Sequence, residues 1–202
     1  MARPPSDIRD RVLEASRARF LGEGVDGASL RDIARDAGTS LGMVVYYFPK
    51  KEDLFLEVVE VVYAPFLADV VRLLDEGTTT REKLRRMLLR IANASTRELD
   101  VVRLIAREAI GSTTRRRRIL RRFMSGHIPY LLAAFADGVG RGELDGAIPL
   151  PVILVSFIGM CALPQVIKRA LGARVGIAFP GREALAELSI ELFFRAMGPR
   201  AG

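Results

Sequence analysis

Apolar residues recur at intervals of three and four positions along almost the whole chain, and this spacing constrains the fold more than any other feature. Near the start, Ile8, Val12 and Ala15 share one face of a helix that Ser6 can cap. No convincing segment shows the two-residue alternation that is typical of a half-buried strand. We therefore predict an all-α fold.

Glycines, prolines and capping residues mark where the helices end. They predict a first helix that ends within residues 22–28, a second that opens at Ser29, and later helices at about 53–76 with a kink at Pro65, from Thr79 to about 96, and near 98–110, 114–137, 151–171 and 182–197.

Bulk composition favours a cytoplasmic globular protein. Half of the 202 residues are hydrophobic, which is enough for a substantial core. The single cysteine, Cys161, cannot form an intramolecular disulfide and fits a reducing compartment. The first ten residues contain no apolar stretch, so we expect no secretory signal.

The net charge of +7 and the pI near 10.2 suggest a nucleic-acid partner, but the charge is unevenly distributed. Residues 1–60 carry 9 Lys or Arg against 11 Asp or Glu, whereas residues 61–126 carry 15 against 7. Any argument for DNA binding near the N-terminus must therefore come from local geometry.

Residues 29–54, "SLRDIARDAGTSLGMVVYYFPKKEDL", supply such a geometry. A stripe from Leu30 to Ala37 can face a core, Gly38 can adopt positive φ to end that helix, and Thr39 or Ser40 can cap another. If Val44 and Phe48 of the second helix face inward, a small apolar surface remains outside. The pattern is typical of a helix-turn-helix, whose second helix enters the major groove. The alternative is a helical hairpin that packs its outer face on another subunit.

The stretch "RFLGEGVDGASLRDIARDAGTSLGMVVYYFPKKEDLF", with the amphipathic helix before it, resembles the DNA-binding domain of the tetracycline-repressor (TetR) family of bacterial transcriptional regulators. The motif covers about a quarter of the chain. The resemblance implies a three-helix helix-turn-helix domain over residues 1–55. A long helix would join it to a ligand-binding and dimerisation domain over residues 56–202.

The resemblance also implies which residues contact a double-stranded operator, which we expect to be palindromic. Ser29 and Arg31 lie at the start of the first motif helix, and Tyr47 and Lys51 occupy phosphate-contacting positions. The recognition helix would present Ser40, Leu41, Gly42, Met43, Val45 and Tyr46. Leu41 and Val45 stand where many members have polar or tyrosine side chains, and they favour apolar contact with thymine methyl groups.

For the C-terminal part, the resemblance implies a homodimeric repressor that a small effector releases from DNA. The uncharged helix near 151–167 and the helix at 182–197 are predicted to form the dimer interface, through Phe157, Leu185, Leu188, Leu192 and Phe193. The effector, expected to be apolar with one polar group, is predicted to contact Leu104, Met124, His127, Tyr130, Phe135, Phe157, Met160 and Cys161. We expect no cofactor and no metal site, since the chain has one histidine and one cysteine.

Several other functions remain open on sequence grounds. Ala147 to Ile167 is 21 residues without a charge, long enough to anchor the chain in a bilayer. Gly22, Gly24 and Gly27 spell a dinucleotide fingerprint, but that motif requires a preceding strand, and we read it as a turn between helices. An enzyme is disfavoured because no nucleophile, base and acid set is evident. The run Arg115–Arg118 could bind nucleic acid, or it could pair with acidic groups of the N-terminal part.

Overall fold

The computed structural model describes residues 5–75, 79–171 and 178–199, and within those ranges every regular element is helical. The elements are α1 Pro5–Gly27, α2 Leu30–Asp36, α3 Leu41–Tyr47, α4 Lys51–Asp75, α5 Thr80–Ala92, α6 Thr96–Gly111, α7 Thr113–Met124, α8 His127–Gly140, α9 Leu150–Phe157, a π-helical turn Ile158–Ala162, α10 Leu163–Leu171 and α11 Arg182–Met197. The predicted all-α class is confirmed.

The helices form two compact units. The first contains the described residues up to Phe66 together with Thr96–Arg122, and the second contains the described residues of 67–95 and those from Phe123 onward. Helix α4 contributes residues to both. The packing unit around the helix-turn-helix is therefore larger than residues 1–55, because α6 and most of α7 belong to it. The functional boundary at residue 55 stays a prediction.

The first unit is built around side chains that α1, α2, α3 and the start of α4 bury together. Phe20 and Phe55 meet edge to face, with ring centroids 6.5 Å apart, and both are fully buried. Val12, Ile33 and Val44 are equally inaccessible to solvent. Burying side chains of this size contributes about 1.5–3 kcal/mol each, so this core fixes the helix-turn-helix on its supports.

Three phenylalanines form the centre of the second unit. Phe135 of α8, Phe157 of α9 and Phe193 of α11 have ring centroids 5.5 to 6.3 Å apart, and solvent reaches at most 1% of each. Their tilted and edge-to-face arrangements suit the quadrupole of the rings. The triad holds α8, α9 and α11 together.

Two predicted helices differ from those observed. The helix expected at 114–137 is two helices, because Gly126 adopts φ −112° and ψ −115°, outside the helical region. The helix expected at 151–171 contains the π-helical turn. Pro65 lies inside α4, which continues to Asp75, and the kink expected there stays a prediction. Pro65 lies on an exposed face, where water can satisfy the carbonyl group that the missing N–H leaves free.

Candidate nucleic-acid interface

Local hydrogen bonds define the two helices of the motif. The Ser29 hydroxyl accepts from the Arg31 N–H at 3.2 Å at the start of α2, and the Ser40 hydroxyl accepts from the Met43 N–H at 3.2 Å at the start of α3. Between them Gly38 adopts φ 62°, a left-handed conformation in which glycine avoids a Cβ clash. The predicted capping and turn residues therefore fold as expected.

The inner face of the motif is sealed against the core. Ile33 and Ala34 of α2 are buried, as is Ala37 just after it, and Val44 and Phe48 are buried on and just after α3. These five positions include the i, i+4 pair that the sequence assigns to the inner face of the second helix. The packing sets the rotation of α3 about its axis.

The outer face of α3 is apolar and accessible. Leu41, Val45 and Tyr46 are exposed, the last over 76% of its surface, whereas Met43 is half-buried. A Cβ placed on Gly42 would find only the Ser40 hydroxyl within 4 Å, at 3.8 Å. Such a surface can touch thymine methyl groups, and the glycine permits close approach of the backbone.

Cationic side chains lie in the segments immediately before and after α3. Arg31 and Lys50 are exposed, and Lys51 donates from Nζ to the carbonyl oxygen of Asp26 at 3.1 Å. Arg35 forms ion pairs with the carboxylates of Asp32 and Asp36, at 2.8 and 3.6 Å. The exposed side chains of Arg31 and Lys50 are therefore available to bind DNA phosphates. The side chain of Lys51 is oriented by its hydrogen bond to Asp26.

Tyr47 is the half-buried residue of the aromatic cluster that ends α3. Its ring lies edge to face with Tyr46, at 5.3 Å between centroids, and is tilted against Phe48 at 6.4 Å. Phe48 in turn lies beneath the guanidinium of Arg9, 5.6 Å from the ring centroid. The contact with buried Phe48 ties the Tyr47 ring to the core.

Comparison with known proteins identifies this arrangement. The profile of the family described as "Bacterial regulatory proteins, tetR family" matches residues 12–58, which span the caps, the turn and α3. The chain is 24% identical over 181 residues to the HTH-type transcriptional repressor NicS of Pseudomonas putida, covering 89% of this chain and 85% of that protein. It is 27% identical over 195 residues to the repressor SCO4008 of Streptomyces coelicolor, covering 91% and 92%.

Residues 12–58 therefore form a DNA-binding domain of the TetR type. Solved structures share the fold of this chain beyond the motif. The fatty acid degradation regulator FadR of Bacillus halodurans superposes with a TM-score of 0.76 at 18% identity, covering 96% of this chain and 97% of that one. FadR of Bacillus subtilis, solved in complex with stearoyl-CoA, superposes with a TM-score of 0.74 at 18% identity, covering 93% and 98%.

The residues predicted to bind an effector lie in both units. Leu104 is buried in the first unit, while Phe135, Phe157 and Cys161 lie in the closed core of the second. Met124 is largely exposed, His127 is half-buried with its ring 5.1 Å from that of Phe123, and Met160 is half-buried. Tyr130, in contrast, borders an open cleft.

That cleft, of about 500 Å³, lies in the second unit and was missed by sequence reasoning. Its lining is mostly apolar, with one ion pair in which the ammonium of Lys83 lies 3.6 Å from a carboxylate oxygen of Asp137. The lining residues come from α4, α5 and α8: Val71, Leu74, Asp75, Lys83, Tyr130, Ala133, Ala134 and Asp137. No local signal links them, since they meet only after the helices pack.

The predicted interface residues divide into two groups. Leu188 and Leu192 of α11 are 49% and 55% exposed, and Leu185 is half-buried. Phe157 and Phe193 are instead part of the aromatic core of their own unit. The assignment of these two phenylalanines to the subunit interface is therefore corrected. Exposed apolar side chains on α9, the π-helical turn and α10 extend the open surface: Val152, Val155, Ile158, Leu163 and Ile167.

Leu150–Arg169 is long and apolar enough to span a membrane, with 22% of it buried inside the unit. Ile153, Phe157, Cys161 and Gln165, spaced by four residues, form its buried stripe. Burial raises the pKa of the Cys161 thiol to about 12, and its Sγ lies 3.5 Å from the carbonyl oxygen of Ser189 in α11. The segment thus packs against its unit through this one stripe, and a thiol with so high a pKa is a poor redox sensor.

Two further sequence features have structural roles. Gly24, in the apparent dinucleotide fingerprint, lies inside α1 with no strand before it, as the turn interpretation expects. Arg115 and Arg118 form ion pairs with acidic residues of the first unit, Arg115 with Asp26 and Arg118 with Asp53 at 2.8 Å. Pairing with the N-terminal part, one of the two interpretations of the arginine run, is confirmed for these members.

Proposed function

We propose that this chain is a sequence-specific DNA-binding transcriptional regulator of the TetR family, acting as a homodimeric repressor that a small molecule releases from its operator. The proposal rests on the outer face of α3. A solvent-facing surface of Leu41, Gly42, Val45 and Tyr46 is costly for a protein with no partner there. The surface faces away from a sealed core and lies beside exposed cations.

Base contacts and phosphate contacts would come from different residues. The apolar face of α3 suits thymine methyl groups in the major groove, with Ser40, Met43 and Tyr46 at its edges. Ser29, Arg31, Tyr47 and Lys51 surround the face and suit the phosphates on either side. Because Lys51 already donates to the Asp26 carbonyl, its ammonium group would enter the complex with little loss of rotamer entropy.

A second subunit would complete the operator contact. Helix-turn-helix dimers place two recognition helices about 34 Å apart, one turn of DNA, on palindromic half-sites. The exposed apolar surface of α9 to α11, with Leu188 and Leu192 at its α11 side, supports an isologous interface of about 2,000 Å² or more. A bilayer fits this surface less well, since α11 carries Glu187 and Glu191 beside the same leucines.

The cleft bordered by Tyr130 is the candidate effector site. Val71, Leu74 and Ala134 offer an apolar wall, and the Lys83–Asp137 pair offers a donor and an acceptor. An effector with an apolar body and one polar or anionic group fits this lining. FadR of Bacillus subtilis was solved with stearoyl-CoA, so a helical framework of this kind can hold an amphipathic acyl compound.

Binding to the DNA upstream of the protein's own gene tests the proposal. Fluorescence anisotropy with a labelled fragment should give nanomolar affinity, compared with weak binding to a scrambled fragment of equal length. The logarithm of the binding constant should fall linearly with the logarithm of salt concentration, as phosphate contacts require. Equal affinity for both fragments at physiological salt would refute sequence-specific regulation at that site.

A further inference from the structure

Two charged side chains are deeply buried in the first unit. Among the residues that the structure describes, Glu108 of α6 and Arg115 of α7 are the charged residues that are more than nine-tenths buried. Nε of Arg115 lies 2.8 Å from Oε2 of Glu108. Removing two charges from water is costly, so their position calls for a specific set of partners.

Those partners lie at a break in α1. Gly24 adopts φ 80° and ψ 166°, which interrupts the helix. The Val25 N–H, just after the break, donates to Oε1 of Glu108 at 3.2 Å. The Arg107 guanidinium donates to the carbonyl oxygens of Phe20 and Leu21 in the turn before the break, the latter at 3.2 Å. Side chains of α6 thus bind backbone groups that an unbroken helix would pair internally.

Arg115 holds the next residue of the chain. Its two terminal nitrogens donate to the two carboxylate oxygens of Asp26, at 2.9 and 2.6 Å. The bidentate hydrogen bond with Arg115 keeps the pKa of Asp26 below its usual value. Asp26 lies three residues before Ser29, the cap of α2, so this contact fixes the chain where it enters the helix-turn-helix.

We propose that Arg107, Glu108 and Arg115 are positioning residues for the helix-turn-helix, acting as a latch on the broken end of α1. The effect of this latch on DNA binding rests on the proposed function, because a latch that holds α2 and α3 also fixes how these two helices fit DNA. Through this latch, α6 and α7 bind directly to the chain at the entrance to the helix-turn-helix. A displacement of α6 by about 1 Å would lengthen the 3.2 Å bond to Val25 beyond hydrogen-bonding distance.

Glu108→Ala tests the latch, with hydrogen exchange of backbone amides as the primary measurement. The Val25 amide and those of α2 and α3 should exchange roughly 5- to 150-fold faster, as expected for loss of a buried partner. Amides of α8 and α11 should keep their wild-type rates. Glu108→Gln, which retains an oxygen acceptor for Val25, should give a smaller change and serves if Glu108→Ala does not fold.

Arg97→Met is the matched control, because it also removes an ion pair between α6 and α1. Arg97 lies 3.1 Å from Glu14, but both side chains are about half exposed and neither contacts the break. Its exchange rates and DNA affinity should stay near wild type. Equal loosening in Arg97→Met and Glu108→Ala, or unchanged exchange in Glu108→Ala, would overturn the latch.

A glycine pair tests the geometry independently. Gly24→Ala would be strained at φ 80°, and its Cβ would lie 3.0 Å from Nη2 of Arg107. Gly22→Ala places its Cβ in open space and should behave as wild type. We expect Gly24→Ala to speed exchange at Val25, and wild-type exchange in that variant contradicts the proposal.

DNA affinity is the second measurement. Glu108→Ala and Gly24→Ala should weaken operator binding roughly 5- to 150-fold, while both remain folded by circular dichroism. Unchanged affinity in a folded variant with faster exchange would overturn the positioning role. If wild type itself binds no operator, the proposed function fails, and the exchange rates still decide whether the latch holds the motif.

Discussion

Replacing Gly42 by glutamate should separate DNA binding from stability. Gly42 lies in the first turn of α3, on the exposed face, and a side chain there points into open space apart from the Ser40 hydroxyl at 3.8 Å. Glutamate has a better helix propensity than glycine by somewhat less than about 1 kcal/mol. Its charge near the N-terminus of a helix contributes about 0.3–1 kcal/mol more. The free energy of unfolding should therefore stay constant or rise.

DNA binding should change in the opposite direction. A carboxylate on this face would meet the phosphates beside the groove and block the close approach that glycine permits. Placing like charges together costs several kcal/mol, and about 3 kcal/mol corresponds to roughly a 150-fold loss of affinity. A homodimer would incur this cost at both half-sites, so the measured loss should be at least this large.

The assay is a pair of titrations on each variant: fluorescence anisotropy with operator DNA, and urea unfolding followed by circular dichroism. Gly42→Ala is the matched control, since it adds the helix propensity without the charge, and its affinity should lie between those of wild type and Gly42→Glu. Wild-type affinity in folded Gly42→Glu would refute the placement of α3 in the groove. A lower free energy of unfolding in Gly42→Glu than in wild type would contradict our conclusion that a side chain at position 42 meets no obstruction.

Three further predictions concern the second unit. Leu192→Arg places a charge in the proposed interface while sparing the core, so analytical ultracentrifugation should show a dimer for wild type and monomer or aggregate for the variant; a wild-type monomer at micromolar concentration contradicts the interface. The raised pKa of Cys161 means that its neutral thiol stabilises the fold below the unfolded-state pKa near 9, and that this contribution is lost as pH rises from there towards about 12. Urea midpoints should therefore fall with alkaline pH less in Cys161→Ala than in wild type, and parallel curves would contradict this reasoning. Ala133→Trp should fill the cleft, so that a compound that raises the Tm of wild type and releases it from DNA no longer does either; an unchanged response places the effector elsewhere.

Local signals were enough to predict much of the motif and of α11. Ser29, Gly38 and Ser40 act through hydrogen bonds and dihedral angles within a few residues of themselves, so their roles can be read without the fold. The same holds for the bounds of α11, which begins after Gly181 and ends before Gly198. The inward Val44 and Phe48 followed from helical spacing, because α3 has one face against the core and one outside.

The spacing of apolar residues does not show which face of a helix is buried when two of its faces are apolar. Leu192 and Phe193 are neighbours in sequence and both were assigned to the subunit interface, yet Leu192 is 55% exposed and Phe193 is in the aromatic core. Only packing against Phe135 and Phe157 decides which apolar stripe of α11 faces inward. The rotation of such a helix depends on its neighbours, and that information lies outside its own residues.

The sequence by itself determined the helical class, the caps and turn of the motif, and the outward residues of α3, because these depend on interactions between residues close together in the chain. The tertiary structure alone decided the cleft beside Tyr130 and the contacts at Gly24. Val71 and Asp137 meet in the cleft from distant positions, and Glu108 reaches Val25 across 83 residues. Those contacts depend on how whole helices pack, where the burial of many side chains outweighs any local preference.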